Sequence, residues 1–157
     1  MIIFTIIFIL LDIGSKLIVS KYLFINQSIP VIKNFMNITH VKNTGVAWNL
    51  FDNQTILILI ISVIVIIGFI IYIYKNKPSN LIDKIAYSMI IGGAIGNFVN
   101  RLTYGYVTDF IDISLFGYNY PIFNLADSFI VLGVIILIIS SLRGDYDRNK
   151  SNHWCQN

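Results

Sequence analysis

Charge, cysteine and histidine are all scarce in this sequence, and each shortage removes a class of function. Only 12% of its 157 residues are charged, where soluble domains carry about 25%. The single cysteine, Cys155, lies in the polar C-terminal stretch, which excludes a disulfide framework and a cysteine-based metal set. The two histidines, His40 and His153, are far apart and read as loop residues rather than ligands. The net charge of +3 is spread over loops, without the basic stripe interleaved with aromatics that nucleic-acid binding requires, so no nucleic-acid partner is expected. A basic n-region and a small-x-small cleavage site are also missing behind Met1, and the first apolar run reads as an anchor that stays. There is no internal repeat and no low-complexity linker.

What is abundant is hydrocarbon. The chain is 56% hydrophobic with a mean hydropathy of +0.75, and about half of it lies in apolar runs approaching the roughly 20 residues that cross a bilayer. A membrane protein follows, with spans expected at about 1–23, 56–74, 85–102 and 124–142. Residues 24–53 are mixed, and pieces such as Pro30-Val-Ile and Met36-Asn-Ile-Thr-His-Val41 read as short strands outside the membrane. Residues 143–157 form a polar, poorly ordered tail. Lys75, Lys77, Lys84, Arg143, Arg148 and Lys150 fall on one side of this scheme and Lys21, Lys33 and Lys42 on the other. The first side is therefore cytoplasmic, both termini with it, and segments 24–53 and 103–123 are extracytoplasmic.

Against that background the polar residues inside or beside the spans stand out. Asp12 and Lys16 sit four apart, so acid and ammonium share one face of the first span, either as a structural ion pair or in support of a site. Asn43-Thr-Gly45 reads as a turn running on to Trp48. In the third span Gly92 and Gly96 form a small-xxx-small pattern that admits a neighbouring helix, and Asn97 and Arg101 share a face one turn further out. The stretch from Thr108 to Asp127 puts acids at the mouth of the last apolar run. Asn124 and Asp127 carry the spacing of a helix N-cap and first-turn acid. Two carboxylates brought close cannot both ionise easily, and a pair that shares one proton can run aspartic-protease chemistry.

In order along the chain, Asp12-x-x-Ser-Lys16, Asn43-Thr-Gly-x-Ala-Trp48, Gly92-Gly-Ala-x-Gly-Asn97-x-x-x-Arg101, Asp109-Phe-Ile-Asp112 and Phe123-Asn-Leu-Ala-Asp127-Ser resemble the signal peptidase II family, over roughly residues 12–133. The last two elements together are the specific part. The resemblance implies a membrane aspartic endopeptidase that removes signal peptides from bacterial prolipoproteins, cutting before the cysteine that carries diacylglycerol. It implies a membrane all-α fold: a four-transmembrane-helix bundle with a small extracytoplasmic β-sheet from residues 24–53 and a short helix or lid loop near 103–120. One peptidase domain, 1–142, would precede the tail. Asp109 and Asp127 would be catalytic, with Asp12, Lys16, Asn43, Gly45, Asn97, Arg101, Asn124 and Ala126 supporting the site or the substrate. Tyr104, Tyr106, Phe110 and Phe116 would shield the lipid chains. Neither a metal nor an organic cofactor is expected; the partners would be lipidated prolipoproteins and membrane lipids, and the protein a monomer in the bacterial cell membrane.

Three positions depart from the family pattern: Ile13 where Gln is usual, Asn100 where Asp precedes the Arg, and Thr108 where Val precedes the first catalytic Asp. None removes a carboxylate of the expected dyad, and Asn100 is expected to contact Arg101 more weakly than an acid would. The alternatives are a divergent paralogue with altered substrate range, or a non-enzymatic small transport or assembly protein using the acids as an ion path. Intramembrane aspartic proteases of the prepilin peptidase or presenilin kind carry a Gly-x-Gly-Asp element, which is absent here.

Overall fold

The computed structural model describes residues 1–46, 50–78 and 80–154, the stretch 144–154 by backbone alone. Trp48 and Cys155 lie outside the described residues. Four helices, α1 (Ile2–Tyr22), α2 (Thr55–Asn76), α3 (Leu81–Tyr104) and α4 (Leu125–Trp154), pack with strands β1 (Ser28–Ile32), β2 (Met36–Asn43), β3 (Val107–Leu115) and β4 (Tyr118–Asn119). Among the described residues, three helical segments are long and apolar enough to cross a membrane: Ile2–Tyr22, Thr55–Asn76 and Leu125–Arg143. The fourth helix, α3, has its apolar run diluted by glycine, asparagine and Arg101.

Burial in α1 is inverted relative to a soluble helix. Asp12 and Lys16 are buried, whereas Ile2, Ile3, Leu10, Leu11, Leu17 and Ile18 are exposed. Such a helix is stable only where its outer face meets hydrocarbon and its charges meet each other. α3 is the element against which α1, α2 and α4 all pack, and its glycines explain how. A Cβ on Gly92 would lie 2.7 Å from Cβ of Phe8, and one on Gly96 would collide with the Asp12 carboxylate, both on α1. Gly93 instead lies against the Ala126 carbonyl of α4, whose Gly133 in turn faces the Ala86 carbonyl of α3. The small-xxx-small pair thus takes α1, and Gly93 brings the start of α4 to the middle of the bundle.

The sheet is antiparallel in the order β1-β2-β3-β4. Leu115 and Tyr118 close β3 onto β4 across Phe116 and Gly117, both with positive φ, the backbone that a two-residue hairpin favours. This corrects two expectations. The sheet is not confined to residues 24–53, because β3 and β4 come from the later loop. That loop is a strand hairpin rather than a short helix, since Val107, Thr108, Phe110, Ile111 and Ile113 favour the pleated conformation. His40 is likewise buried in β2, not in a loop. α4 runs on to Trp154, and the part of it apolar enough to cross a membrane, Leu125–Arg143, matches the span expected at 124–142.

Candidate active site

Asp109 reaches the site from the middle of β3, where it lies opposite Val41 of β2 and is 3% exposed. Asp127 arrives from the first turn of α4. Its backbone N–H donates to Asn124 Oδ1 at 3.1 Å, and its Oδ2 accepts from the Asn124 backbone N–H at 3.1 Å. This reciprocal pair satisfies two of the donors a helix start leaves open. The capping reading of Asn124 and Asp127 is correct, and it does not compete with a role in a site.

The asparagine that caps α4 also holds the other acid. Asn124 Nδ2 donates to Asp109 Oδ1 at 2.6 Å, and Asn43 Nδ2 donates to Asp109 Oδ2 at 2.7 Å. Asn97 Nδ2 donates to Asp127 Oδ1 at 2.8 Å. All four oxygens of the two carboxyls thus receive an N–H, and Asn124 contacts both. Burial pushes the Asp109 carboxyl up to about 6, and the nearby Asp127 charge adds to the rise; the Asn43 and Asn124 amides pull against it. Both acids line one cavity of about 280 Å³ together with Asn43, Asn97, Arg101 and Asn124. A second, open trough of about 480 Å³ also borders Asp109 and is walled by Tyr118, Tyr120 and Pro121.

Below the acids lies the α1 pair. Lys16 Nζ donates to Asp12 Oδ2 at 2.7 Å and to Asn97 Oδ1 at 2.8 Å, while Asp12 Oδ1 accepts the Ala126 N–H at 2.9 Å. Asp12 therefore fastens α1 to the start of α4, and Gly96 is the residue whose missing side chain leaves it room. On the other flank Asn43, Thr44 and Gly45 form the expected turn, with the Gly45 N–H donating to Asn43 Oδ1 at 3.0 Å. Arg101 Nη2 donates to the Gly45 carbonyl at 2.7 Å. Every site residue expected from the sequence is thus brought into one connected network: Asp12, Lys16, Asn43, Gly45, Asn97, Arg101, Asp109, Asn124, Ala126 and Asp127.

One expectation, the contact of Asn100 with Arg101, fails in detail. Asn100 does not contact Arg101: neighbouring helix positions diverge by about 100°, and Asn100 Oδ1 accepts the Thr108 backbone N–H at 2.7 Å instead. Of the aromatics expected as a shield, Phe110 is buried and Phe116 stands at the hairpin tip, 99% exposed. Tyr104 and Tyr106 line a separate crevice of about 200 Å³ with Ser20 and Thr108. The aromatics that border the trough beside Asp109 are Tyr118 and Tyr120, which no local motif marks. They could have been found: a short return from the Phe116-Gly117 turn to the Asn124 cap has to run along β3.

The signal peptidase II family model, Signal peptidase (SPase) II, matches residues 4–143. Lipoprotein signal peptidases of Staphylococcus aureus strains JH9 and Newman are each 38% identical over 135 residues, covering 86% of this chain and 83% of theirs. A bacterial membrane enzyme solved by the in meso method at 2.3 Å has a TM-score of 0.85 and 36% identity, covering 93% of this chain and 89% of its own. A second such enzyme, solved at 1.9 Å, has a TM-score of 0.81 and 38% identity, with coverages of 90% and 91%. With the family model spanning nearly the whole bundle, the chain belongs to the signal peptidase II family.

Proposed function

We propose that this protein is a membrane aspartic endopeptidase that removes signal peptides from diacylglyceryl-modified prolipoproteins, cleaving before the lipidated cysteine. The observation that carries the reading is the bridging of Asp109 and Asp127 by Asn124 at the wall of one cavity. With one proton shared between the two acids, the ionised carboxylate takes a proton from a water molecule. That water's oxygen bonds to the scissile carbonyl carbon, while the protonated carboxyl donates to the carbonyl oxygen. Collapse of the tetrahedral species breaks the C–N bond, and the amine leaves with a proton from the dyad. Asn43, Asn97 and Asn124 hold the carboxyls in place, which is where an aspartic site gains from preorganised donors. Arg101 anchors the Asn43–Gly45 turn that covers one side of the cavity.

In this reading α3 is the fourth span, its polar groups satisfied by α1, α4 and the loop rather than by lipid. Both termini are cytoplasmic, and the sheet and dyad lie at the extracytoplasmic face, as the Lys and Arg distribution suggests. The protein acts as a monomer without a metal or organic cofactor. An ion path is less well supported: among the described residues Asp12 is the one acid deep inside an expected span, and Lys16 and Ala126 already hold it. The test is cleavage by purified protein of a diacylglyceryl-modified prolipoprotein beside its unlipidated form. Only the lipidated form should be processed, because two acyl chains kept in hydrocarbon contribute about 0.8 kcal/mol per buried methylene. Equal processing of both would refute the substrate assignment.

A further inference from the structure

Lys16 contacts neither Asp109 nor Asp127 directly, yet it determines how one of them is held. An ammonium offers only donors, so Asn97 must turn its carbonyl oxygen toward Lys16 Nζ, at 2.8 Å. The same oxygen also accepts from Asn124 Nδ2 at 3.2 Å. With its oxygen committed on that side, Asn97 can present only its NH₂ to Asp127 Oδ1, at 2.8 Å. Asp127 is thus offered a donor whose orientation a buried cation enforces, and it sits in the first turn of α4, where the helix dipole also favours negative charge. Asp109 has neither advantage. It lies in the middle of a strand, and its two amide donors are oriented by neutral N–H groups: Gly45 N–H holds the oxygen of Asn43, and Asp127 N–H holds the oxygen of Asn124.

We propose that Lys16 is a positioning residue of the cleavage reaction: acting through Asn97, it makes Asp127 the ionised carboxylate that activates water and leaves the shared proton on Asp109. The proposal rests on the reading of Asp109 and Asp127 as the cleaving pair, and it explains why a charged residue is kept 2% exposed inside a helix bundle. Asp12 holds Lys16 in place through the 2.7 Å ion pair. The charged groups around Asp127 are Asp12 and Lys16 from α1, Arg101 from α3 and Asp109 from β3. The wall that α2 contributes near Asn97 is uncharged, made of Ile58, Ile61, Ser62 and Val65. Removing the Lys16 cation therefore leaves Arg101 as the remaining cation among the groups around Asp127.

The test uses two substitutions in the full chain. Lys16→Gln keeps N–H donors but loses the charge; Lys16→Met loses both and frees the Asn97 amide to turn. On lipidated substrate, kcat should fall about tenfold or more at neutral pH with KM changed less than about twofold. The acid limb of the pH profile should move up by about one unit in Lys16→Gln and further in Lys16→Met, since an opposite charge nearby is worth about 1–3 units to a carboxylate. The alkaline limb should move less. If Lys16→Met leaves Asp12 unpaired and the protein does not fold, Asp12→Asn combined with Lys16→Met removes the stranded charge and carries the same expectation. A readout independent of cleavage is infrared titration of labelled aspartate in Asp109→Asn protein, referenced to Asp109→Asn/Asp127→Asn. The Asp127 midpoint there should rise when Lys16→Gln is added. Folded variants whose limbs and infrared midpoint stay at wild-type values would overturn the proposal and make Lys16 a structural residue only. Wild-type protein that leaves lipidated precursor uncut would instead refute the peptidase reading, while the infrared titration would still decide the coupling of Lys16 to Asp127.

Discussion

Asn124 caps the helix that carries Asp127 and, with its other side-chain atom, donates to Asp109 at 2.6 Å. One residue therefore joins the start of α4 to the middle of β3. The separation between the two acids is not left to the packing of a helix on a sheet. It is set by a single amide whose oxygen and nitrogen each have a required partner, and whose own backbone N–H is held by Asp127 in return.

Replacing that residue should separate its two tasks. Asn124→Ala loses the cap and the bridge and should cost about 1–2 kcal/mol of stability, with cleavage reduced at least about 100-fold. Asn124→Ser restores a capping oxygen but no donor that reaches Asp109. Thermal unfolding in detergent should place it close to wild type while its activity remains low. Recovery of both together would show that capping alone explains the position.

The raised carboxyl of Asp109 makes a prediction about stability with a definite sign. Its folded value of about 6 lies above the ordinary 3.8, so the folded state binds the proton more tightly than the unfolded chain does. Below pH 4 both states are protonated and nothing is lost; as pH rises through 6, ionisation in a buried site costs on the order of 3 kcal/mol. Asp109→Asn should therefore be more stable than wild type at pH 8, with the advantage shrinking to near zero at pH 4. Denaturation in detergent across that range checks it. A constant difference would mean that Asp109 does not titrate in the folded protein near neutrality.

How much of this could be read beforehand follows from where the information lies. Asp12 and Lys16 four apart, Gly92 and Gly96 four apart, and Asn124 three before Asp127 are local relations, fixed by helix geometry, and all three are realised as written. The β-formers Val107, Thr108, Phe110 and Ile111 mark 107–112 as extended, and β3 runs there, but its pairing with β2 and the return through β4 depend on long-range topology that no local pattern carries. The partner of Asn100 is hidden for a similar reason. Adjacency in sequence suggested Arg101 as its partner, whereas the rotation of the helix hands it to the backbone of β3, which no local pattern reveals. Tyr118 and Tyr120 reached the site through the return of the chain, a consequence of topology rather than of composition.

Asp109, Asp112 and Asp127 look alike in the sequence and should behave differently. Asp112 faces Asn37 across the β2–β3 register and accepts from Asn37 Nδ2 at 3.3 Å and from Thr39 Oγ1 at 2.9 Å. In an extended strand, positions three apart point to opposite faces, so Asp112 is turned away from the cavity that Asp109 lines. Asp109→Asn and Asp127→Asn should each abolish measurable cleavage while leaving membrane insertion intact. Asp112→Asn should retain most activity and lose about 1 kcal/mol of stability, since an amide still accepts from Thr39. Activity surviving in Asp109→Asn but lost in Asp112→Asn would move the dyad.

Asn100 is the position at which the structure changes the expected outcome most. Beside Arg101 it would act through charge, and an acid there would strengthen an ion pair. Its actual partner is the backbone N–H of Thr108, buried and immediately before Asp109, so what the site needs from residue 100 is an acceptor. Asn100→Asp keeps that acceptor and should leave cleavage within about threefold of wild type, with any loss appearing as reduced stability from the buried charge. Asn100→Leu removes the acceptor and strands the N–H, at a cost of about 1–3 kcal/mol. Because the stranded group adjoins Asp109, the loss should also appear as lower kcat and faster amide exchange at Thr108, measured by hydrogen–deuterium exchange. If Asn100→Asp instead raised activity many-fold and Asn100→Leu left exchange at Thr108 unchanged, the contribution of residue 100 would be electrostatic, and its hydrogen bond to β3 would be incidental.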